Sequence, residues 1–131
     1  MMLRIAGVLL LLLLVAGVSH LAAVERLKLN VSPSVAFAPA NVVVRASIEP
    51  DAQNRAVEVE AESPAFYRSS EIELDGDRAP RTNTFEFRSL PPGVYEVSAT
   101  LMGPGETVRA TAHHEVDVMG TERMIRRIKS N

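Results

Sequence analysis

Apolar and polar residues alternate with a period of two along most of this chain, and that period constrains the fold more than any other feature. The alternation recurs in six consecutive segments, which are residues 42–48, 57–62, 71–75, 85–88, 95–101 and 108–118. Successive side chains of a strand point to opposite faces of a sheet, so each segment places one side on a core and the other in water. The pattern predicts six half-buried antiparallel strands.

Turn residues separate these segments at fairly regular spacing, as in Pro91-Pro92-Gly93 and Gly103-Pro104-Gly105. A further strand is predicted through residues 27–31, before Pro33, which would lie at a sheet edge where a missing N–H is tolerated. Seven short strands with no helical segment among them predict an all-β fold, a seven-stranded antiparallel immunoglobulin-like sandwich. A barrel of similar size is the alternative.

A hydrophobic segment at the N-terminus predicts export from the cytoplasm. Arg4 precedes an uninterrupted apolar run of 14 residues, Ile5 to Val18, which suits the core of a cleaved signal peptide. Extended to Val24, the run has 20 residues and could span a bilayer as an uncleaved anchor. The expected organisation is therefore a signal peptide or anchor at 1–24, a sandwich domain at 25–120 and a basic tail at 121–131, located in the periplasm or cell envelope, or secreted.

Composition narrows the classes of function. The chain has 131 residues and no cysteine, which suits one domain held by packing alone and excludes disulfides and thiolate ligands. Residues 25–120 carry 15 acidic and 9 basic side chains, a net charge of −6, whereas residues 121–131 carry four basic and one acidic, a net charge of +3. The acidic body predicts no nucleic-acid partner.

The stretch from Phe85 to Ala99 carries a family resemblance. It resembles the penultimate-strand region of fibronectin type III, bacterial immunoglobulin-like and carboxypeptidase-regulatory-like domains, in which a phenylalanine strand leads through Leu-x-Pro-Gly into Tyr-x-Val. The resemblance implies that Leu90 plugs the core, that Gly93 is the turn residue and that Tyr95 is the corner residue. In the families with such a corner, the tyrosine hydroxyl bonds to backbone upstream.

Three histidines are the first candidates for a binding site. His114 shares the parity of the inward residues of its strand and His113 takes the outward parity, so the two are not expected to chelate one ion. If cleavage follows Ser19, His20 becomes the N-terminus, and its amine and ring could hold copper together with His113, similar to periplasmic copper carriers. We expect neither a metal nor another cofactor, and keep this carrier as the alternative function.

Two charged segments are interpreted without a catalytic or binding role. Glu58, Glu60 and Glu62 occupy one exposed side of a strand, where water should leave their pKa values nearly unchanged, and we interpret them as a charged edge that discourages aggregation. The tail at 121–131 could form a basic amphipathic helix, but a frayed end is the favoured prediction.

The sequence thus predicts an exported structural or interaction module that binds a protein or a glycan. It contains no nucleophile elbow and no glycine-rich phosphate loop, so we predict that the chain is not an enzyme. The identity of the partner and the oligomeric state are left open.

Overall fold

A computed structural model describes residues 25 to 130, and of Arg123 and Met124 it describes the backbone alone. The predicted export segment, with His20, lies outside these residues. Eight strands follow one another: β1 (Leu27–Ser32), β2 (Val35–Phe37), β3 (Ala40–Ile48), β4 (Ala56–Ser63), β5 (Phe66–Glu73), β6 (Thr82–Leu90), β7 (Gly93–Met102) and β8 (Val108–Met119). A helix, α1 (Thr121–Lys129), ends the described chain.

The strands form two sheets. One has three strands in the order β1-β3-β6, and the other has five strands in the order β2-β8-β7-β4-β5. All neighbours are antiparallel except β2, which runs parallel to β8. The prediction of an all-β, sandwich-like fold is confirmed.

The core lies between the two sheets and follows the alternation in the sequence. Val42, Val44 and Phe87 of the three-stranded sheet and Val59, Val97 and Leu101 of the five-stranded sheet are all buried in one apolar cluster. Burying each of these side chains away from water stabilises the fold by about 1.5–3 kcal/mol. The polar residues between them point outward, so each sheet has one buried and one solvated face.

The strand that the sequence did not predict is β2. It has three residues and joins the edge of the five-stranded sheet, where Val35 lies opposite Asp117 and Phe37 opposite Met119. Alternation cannot identify a strand of this length, and the chain changes sheets between β1 and β2. The described chain therefore has eight strands, where seven were predicted.

The C-terminal segment is helical, so the favoured prediction of a frayed end is wrong. Glu122 lies in the first turn of α1, and Arg126, Arg127 and Lys129 lie in the last, an arrangement that favours the helix dipole at both ends. In the part of the chain from residue 25 to 130, no helix has the length and apolar character needed to cross a membrane.

Candidate functional site

The predicted corner residues lie where the chain passes from the three-stranded to the five-stranded sheet. Leu90 ends β6, Gly93 begins β7, and both Leu90 and Tyr95 are fully buried. The Tyr95 hydroxyl donates a hydrogen bond of 2.7 Å to the carbonyl of Pro91. The ring of Phe66 stands edge-on to the Tyr95 ring, with 6.2 Å between centroids. The side chains of Leu90 and Tyr95 pack in the core and present no surface to a ligand, whereas Gly93 is half-buried.

The two neighbouring histidines lie on opposite sides of β8. His114 is half-buried on the inner side, 2.8 Å from the hydroxyl of Ser34, whereas Nδ1 of His113 on the outer side lies 2.9 Å from a carboxylate oxygen of Glu96. Across residues 25–130, no three histidine, aspartate or glutamate side chains are grouped so that they could hold a metal ion. His113 is thus placed beside a carboxylate, and its suggested co-ligand His20 lies outside the described residues.

Carboxylates dominate the outer face of the five-stranded sheet. The strand register brings them together, since Glu58 lies opposite Glu71 of β5 and Glu62 lies opposite Glu96 of β7. We call this surface the carboxylate face and define it by Glu58, Glu60, Glu62, Glu71, Glu73, Glu96, Glu115 and Asp117. No lysine or arginine occupies an outward position of β4, β5 or β7.

The outer face of the three-stranded sheet differs in charge. Its outward charged residues are Lys28, Arg45 and Arg88 against Glu86, a net charge of +2. Glu86 forms an ion pair of 3.1 Å with Arg88. Charge is therefore segregated between the two faces of the sandwich, and the carboxylate face is the part suited to binding cationic groups.

At the centre of the carboxylate face, Glu60 and Glu71 lie close enough to Glu58 to change its pKa. The hydrogen bond that protonated Glu58 donates to the carboxylate of Glu60, partial burial, and the repulsion of Glu60 and Glu71 raise the pKa of Glu58 from 4.5 to about 7. The exposed Tyr67 donates a hydrogen bond of 3.0 Å to Glu60. Near neutral pH, Glu58 therefore carries a proton part of the time, and the face gains negative charge as the pH rises.

This geometry corrects the interpretation of the glutamate ladder. Strand β4 is not an edge, because it lies between β7 and β5, and Glu58 is only partly exposed. Water does not leave the pKa of Glu58 unchanged, as was expected from the ladder alone. The interpretation from the ladder alone left out Glu71 and Tyr67, two residues of β5 that lie beside these glutamates. The sequence predicted a strand over residues 71–75, whereas β5 spans Phe66–Glu73, so Tyr67 was missed as a strand residue, and nothing in the sequence indicated that β5 pairs with β4.

Replacing Glu58 with glutamine is expected to stabilise the protein at about pH 8 and to change little at about pH 5. The pKa of Glu58 is about 7 in the folded protein against an ordinary 4.5, so the folded chain holds this proton more tightly. The stability from that proton is complete below the unfolded pKa and is lost as the pH rises through 7. Because water still screens the group, we expect a gain of about 1 kcal/mol at the higher pH.

Urea unfolding at both pH values measures this difference. Glu73→Gln, which removes a carboxylate from the rim of the same face, is the matched control and should leave the pH dependence in place. A Glu58→Gln variant whose stability follows that of the wild type at both pH values would contradict the shared proton.

Comparison with known proteins places the fold but not a family. No protein-family model matches the chain, and no curated protein matches it significantly. Among solved structures, a superoxide reductase (neelaredoxin) from Ignicoccus hospitalis has a TM-score of 0.58 at 16% identity, covering 72% of this chain and 81% of that one. A variant of the same protein has a TM-score of 0.59 at 18% identity, covering 75% and 83%.

A family 76 glycoside hydrolase from a bovine Bacteroides thetaiotaomicron strain has a TM-score of 0.52 at 16% identity. The match covers 73% of this chain but 21% of that chain, so it concerns one part of a larger protein. At these identities the likenesses show a shared fold and nothing more.

The comparison corrects one prediction. From the missing catalytic motifs we predicted that the chain is not an enzyme, and the similarity to superoxide reductase contradicts that prediction, because the fold is one that an enzyme uses. Sequence motifs such as a nucleophile elbow belong to particular folds and chemistries, so their absence does not exclude others.

Proposed function

We propose that this chain is an exported immunoglobulin-like domain that binds a partner protein through its carboxylate face. The strand order supports the immunoglobulin-like assignment. In such sandwiches strands A, B, D and E share one sheet and strands C, F and G share the other. Here β1, β3 and β6 share one sheet, and β4, β7 and β8 share the other, with β2 and β5 as additional edge strands. In chain order, β1, β3 and β6 correspond to A, B and E, and β4, β7 and β8 correspond to C, F and G, whereas β5 lies in the second sheet and does not take the place of D.

The observation that carries the binding proposal is the crowding of like charges on one face. Carboxylates directly opposite each other on neighbouring strands repel, and Glu58 and Glu71 are such a pair. The hydrogen bond to Glu60 and partial burial contribute most to the raised pKa of Glu58, and the repulsion of Glu60 and Glu71 adds to it. If these carboxylates only kept the protein soluble, they could be spread over both faces of the sandwich, which would avoid the repulsion. A destabilising cluster kept on one face is what a binding surface for a cationic partner requires.

The partner we propose is a protein that presents lysine or arginine side chains. Guanidinium and ammonium groups form charge-assisted hydrogen bonds with carboxylates, and the exposed ring of Tyr67 beside Glu60 adds apolar contact area and a hydroxyl. A neutral glycan would leave most of these carboxylates without a partner of opposite charge. A copper or small-ligand carrier centred on His20 gains no support from the part of the chain that the structure describes, where His113 is engaged by Glu96.

One experiment tests export and binding together. The chain has no cysteine, so a single introduced thiol can carry a membrane-impermeant, photoreactive label. Ser69→Cys places the thiol on β5 within the carboxylate face, and Thr84→Cys places it on the outer face of the three-stranded sheet. In spheroplasts of a bacterial host that contains the partner, both thiols should be labelled without lysis, and illumination should give a discrete protein adduct from Ser69→Cys alone.

Charge reversal provides the control. Glu60→Lys with Glu71→Lys should abolish the adduct, whereas Glu49→Lys with Glu86→Lys, which changes the net charge equally but lies off the carboxylate face, should retain it. Labelling only after lysis would refute export. Labelling without an adduct, or an adduct equally strong from Thr84→Cys, would refute binding at this face.

A further inference from the structure

Helix α1 presents apolar side chains that have no place in the domain core. Ile125 is 48% exposed and Ile128 is 68% exposed, and their spacing of three residues puts them on one side of the helix. Arg126, Arg127 and Lys129 are exposed beside them. A helix of nine residues is marginal on its own in water, so its apolar side needs a surface to stabilise it.

An apolar patch lies at the end of the five-stranded sheet where α1 begins. Val35 and Val94 flank Asp117 on opposite sides of β8 in the strand register, and Phe37 lies opposite Met119, two residues before the helix. All three side chains point outward, and Phe37 is 55% exposed. We call Val35, Phe37 and Val94 the end patch.

The charges around the two surfaces are complementary. Glu62, Glu96 and Glu115 lie next to the end patch, since Glu96 pairs with both of the others and follows Val94 by two residues in β7. The helix carries three exposed cations next to its isoleucines. Apolar side chains bordered by opposite charges on two surfaces are the composition of a protein–protein contact.

We propose that the chain forms a two-fold symmetric dimer in which Ile125 and Ile128 of each copy pack on the end patch of the other. Within one copy, the side chains of the end patch and both isoleucines are exposed, so neither surface is covered by the other. Because the helix and the patch lie at the same end of the domain, two copies that meet end to end form both contacts at once, and the interface closes on itself.

A second copy fits better than an anionic membrane. The carboxylates next to the end patch would repel anionic headgroups, but they attract the arginines of another helix. The start of β1 lies beside residues 110–113, at the end of β8 opposite α1, so a membrane anchor before residue 25 would also hold the helix away from its own bilayer. This inference goes beyond the proposed function: the dimer uses the end of the carboxylate face that holds Glu62, Glu96 and Glu115, and it does not use Tyr67, Glu58, Glu60 or Glu71.

Sedimentation velocity of the full chain, purified in the form that the host exports, tests the proposal. The surfaces are small, so we expect a monomer–dimer equilibrium in the range of about 1–100 μM. Ile125→Ser with Ile128→Ser should weaken dimerisation at least about tenfold, and so should Phe37→Ser. Val108→Ser changes an exposed apolar residue at the opposite end of β8 and should have no effect.

Exchanging the charges of α1 and of the end-patch border distinguishes a specific contact from non-specific association. Arg126→Glu with Arg127→Glu should weaken the dimer, and adding Glu96→Lys with Glu115→Lys in the same chain should restore it. Circular dichroism of each variant checks that the fold is kept, as expected for exposed positions. Adducts from Ser69→Cys should persist in the isoleucine variants, which distinguishes loss of the dimer from loss of the proposed partner.

Three results would overturn the dimer. One is a monomer at every concentration, and another is a dimer whose dissociation constant is unchanged by the isoleucine and Phe37 substitutions. The third is a monomer in which Ile125→Ser with Ile128→Ser abolishes binding to phosphatidylglycerol vesicles, which would assign the helix to a membrane.

Discussion

Replacing Tyr95 with alanine should reduce the free energy of unfolding by about 3–5 kcal/mol, the largest single effect we expect in this protein. Tyr95 is fully buried, contacts Phe66 through its ring and bonds to Pro91, where the chain crosses from one sheet to the other. The substitution removes this aromatic ring from the core and leaves a cavity. For a domain of this size, the melting temperature should fall by at least about 10 °C.

The conservative variant isolates the hydroxyl. Tyr95→Phe keeps the ring but removes the bond of 2.7 Å to the carbonyl of Pro91, and should cost about 1 kcal/mol. Tyr67→Ala is the matched control, because Tyr67 is exposed and its hydroxyl bonds to a solvated carboxylate. If Tyr95→Ala unfolds at the same urea concentration as Tyr67→Ala, Tyr95 does not act as a corner residue.

Replacing Arg109 with alanine should reduce the free energy of unfolding by about 2–3 kcal/mol, because Arg109 anchors a loop at one end of the sandwich. Its guanidinium donates to Oδ1 of Asn54 at 2.9 Å and to Oδ2 of Asp51 at 3.0 Å. The Asn54 side chain is buried, and its Nδ2 also donates to the carbonyl of Glu49. The backbone carbonyl of Asn54 accepts from the N–H of Gly76. Without Arg109, the buried oxygen of Asn54 loses its donor.

The loss of stability in Arg109→Ala should also depend on pH, which gives a second test. A hydrogen bond from Arg109 holds the pKa of Asp51 at about 2, below its ordinary 3.8. A lowered pKa stabilises the fold above the unfolded value, and that stability is lost as the pH falls through the folded value. The difference between wild type and Arg109→Ala should therefore narrow as the pH falls from 3.8 towards 2.

Two variants control this prediction. Arg109→Lys should recover only part of the loss, because one ammonium group cannot reproduce the two-pronged contact. Arg45→Ala removes an exposed arginine from the other sheet and should change stability by less than about 0.5 kcal/mol. Equal losses in Arg45→Ala and Arg109→Ala would show that the loop cluster contributes no special stability.

The sequence alone predicted seven of the eight strands and which side of each is buried, although it placed β5 at residues 71–75 and the structure has it at Phe66–Glu73. Those properties are local, because the pleat of a strand has a period of two and an apolar residue at every second position selects one face. Val42 and Val44, or Val57 and Val59, are assigned to the core without knowledge of their neighbours. The hydrogen bond of the Tyr95 hydroxyl is also local, since its acceptor lies four positions earlier.

The tertiary structure decided which strands are neighbours, and with that the candidate site. Glu58 and Glu71 meet because β4 pairs with β5 in one register, and a shift of one residue would have placed them on different faces. Arg109 reaches Asn54 from 55 residues away. The end patch exists because the three-residue strand β2 crosses to the second sheet and lies beside β8. Strand order depends on how the two sheets bury their apolar faces together, and the alternation within one strand carries no information about it.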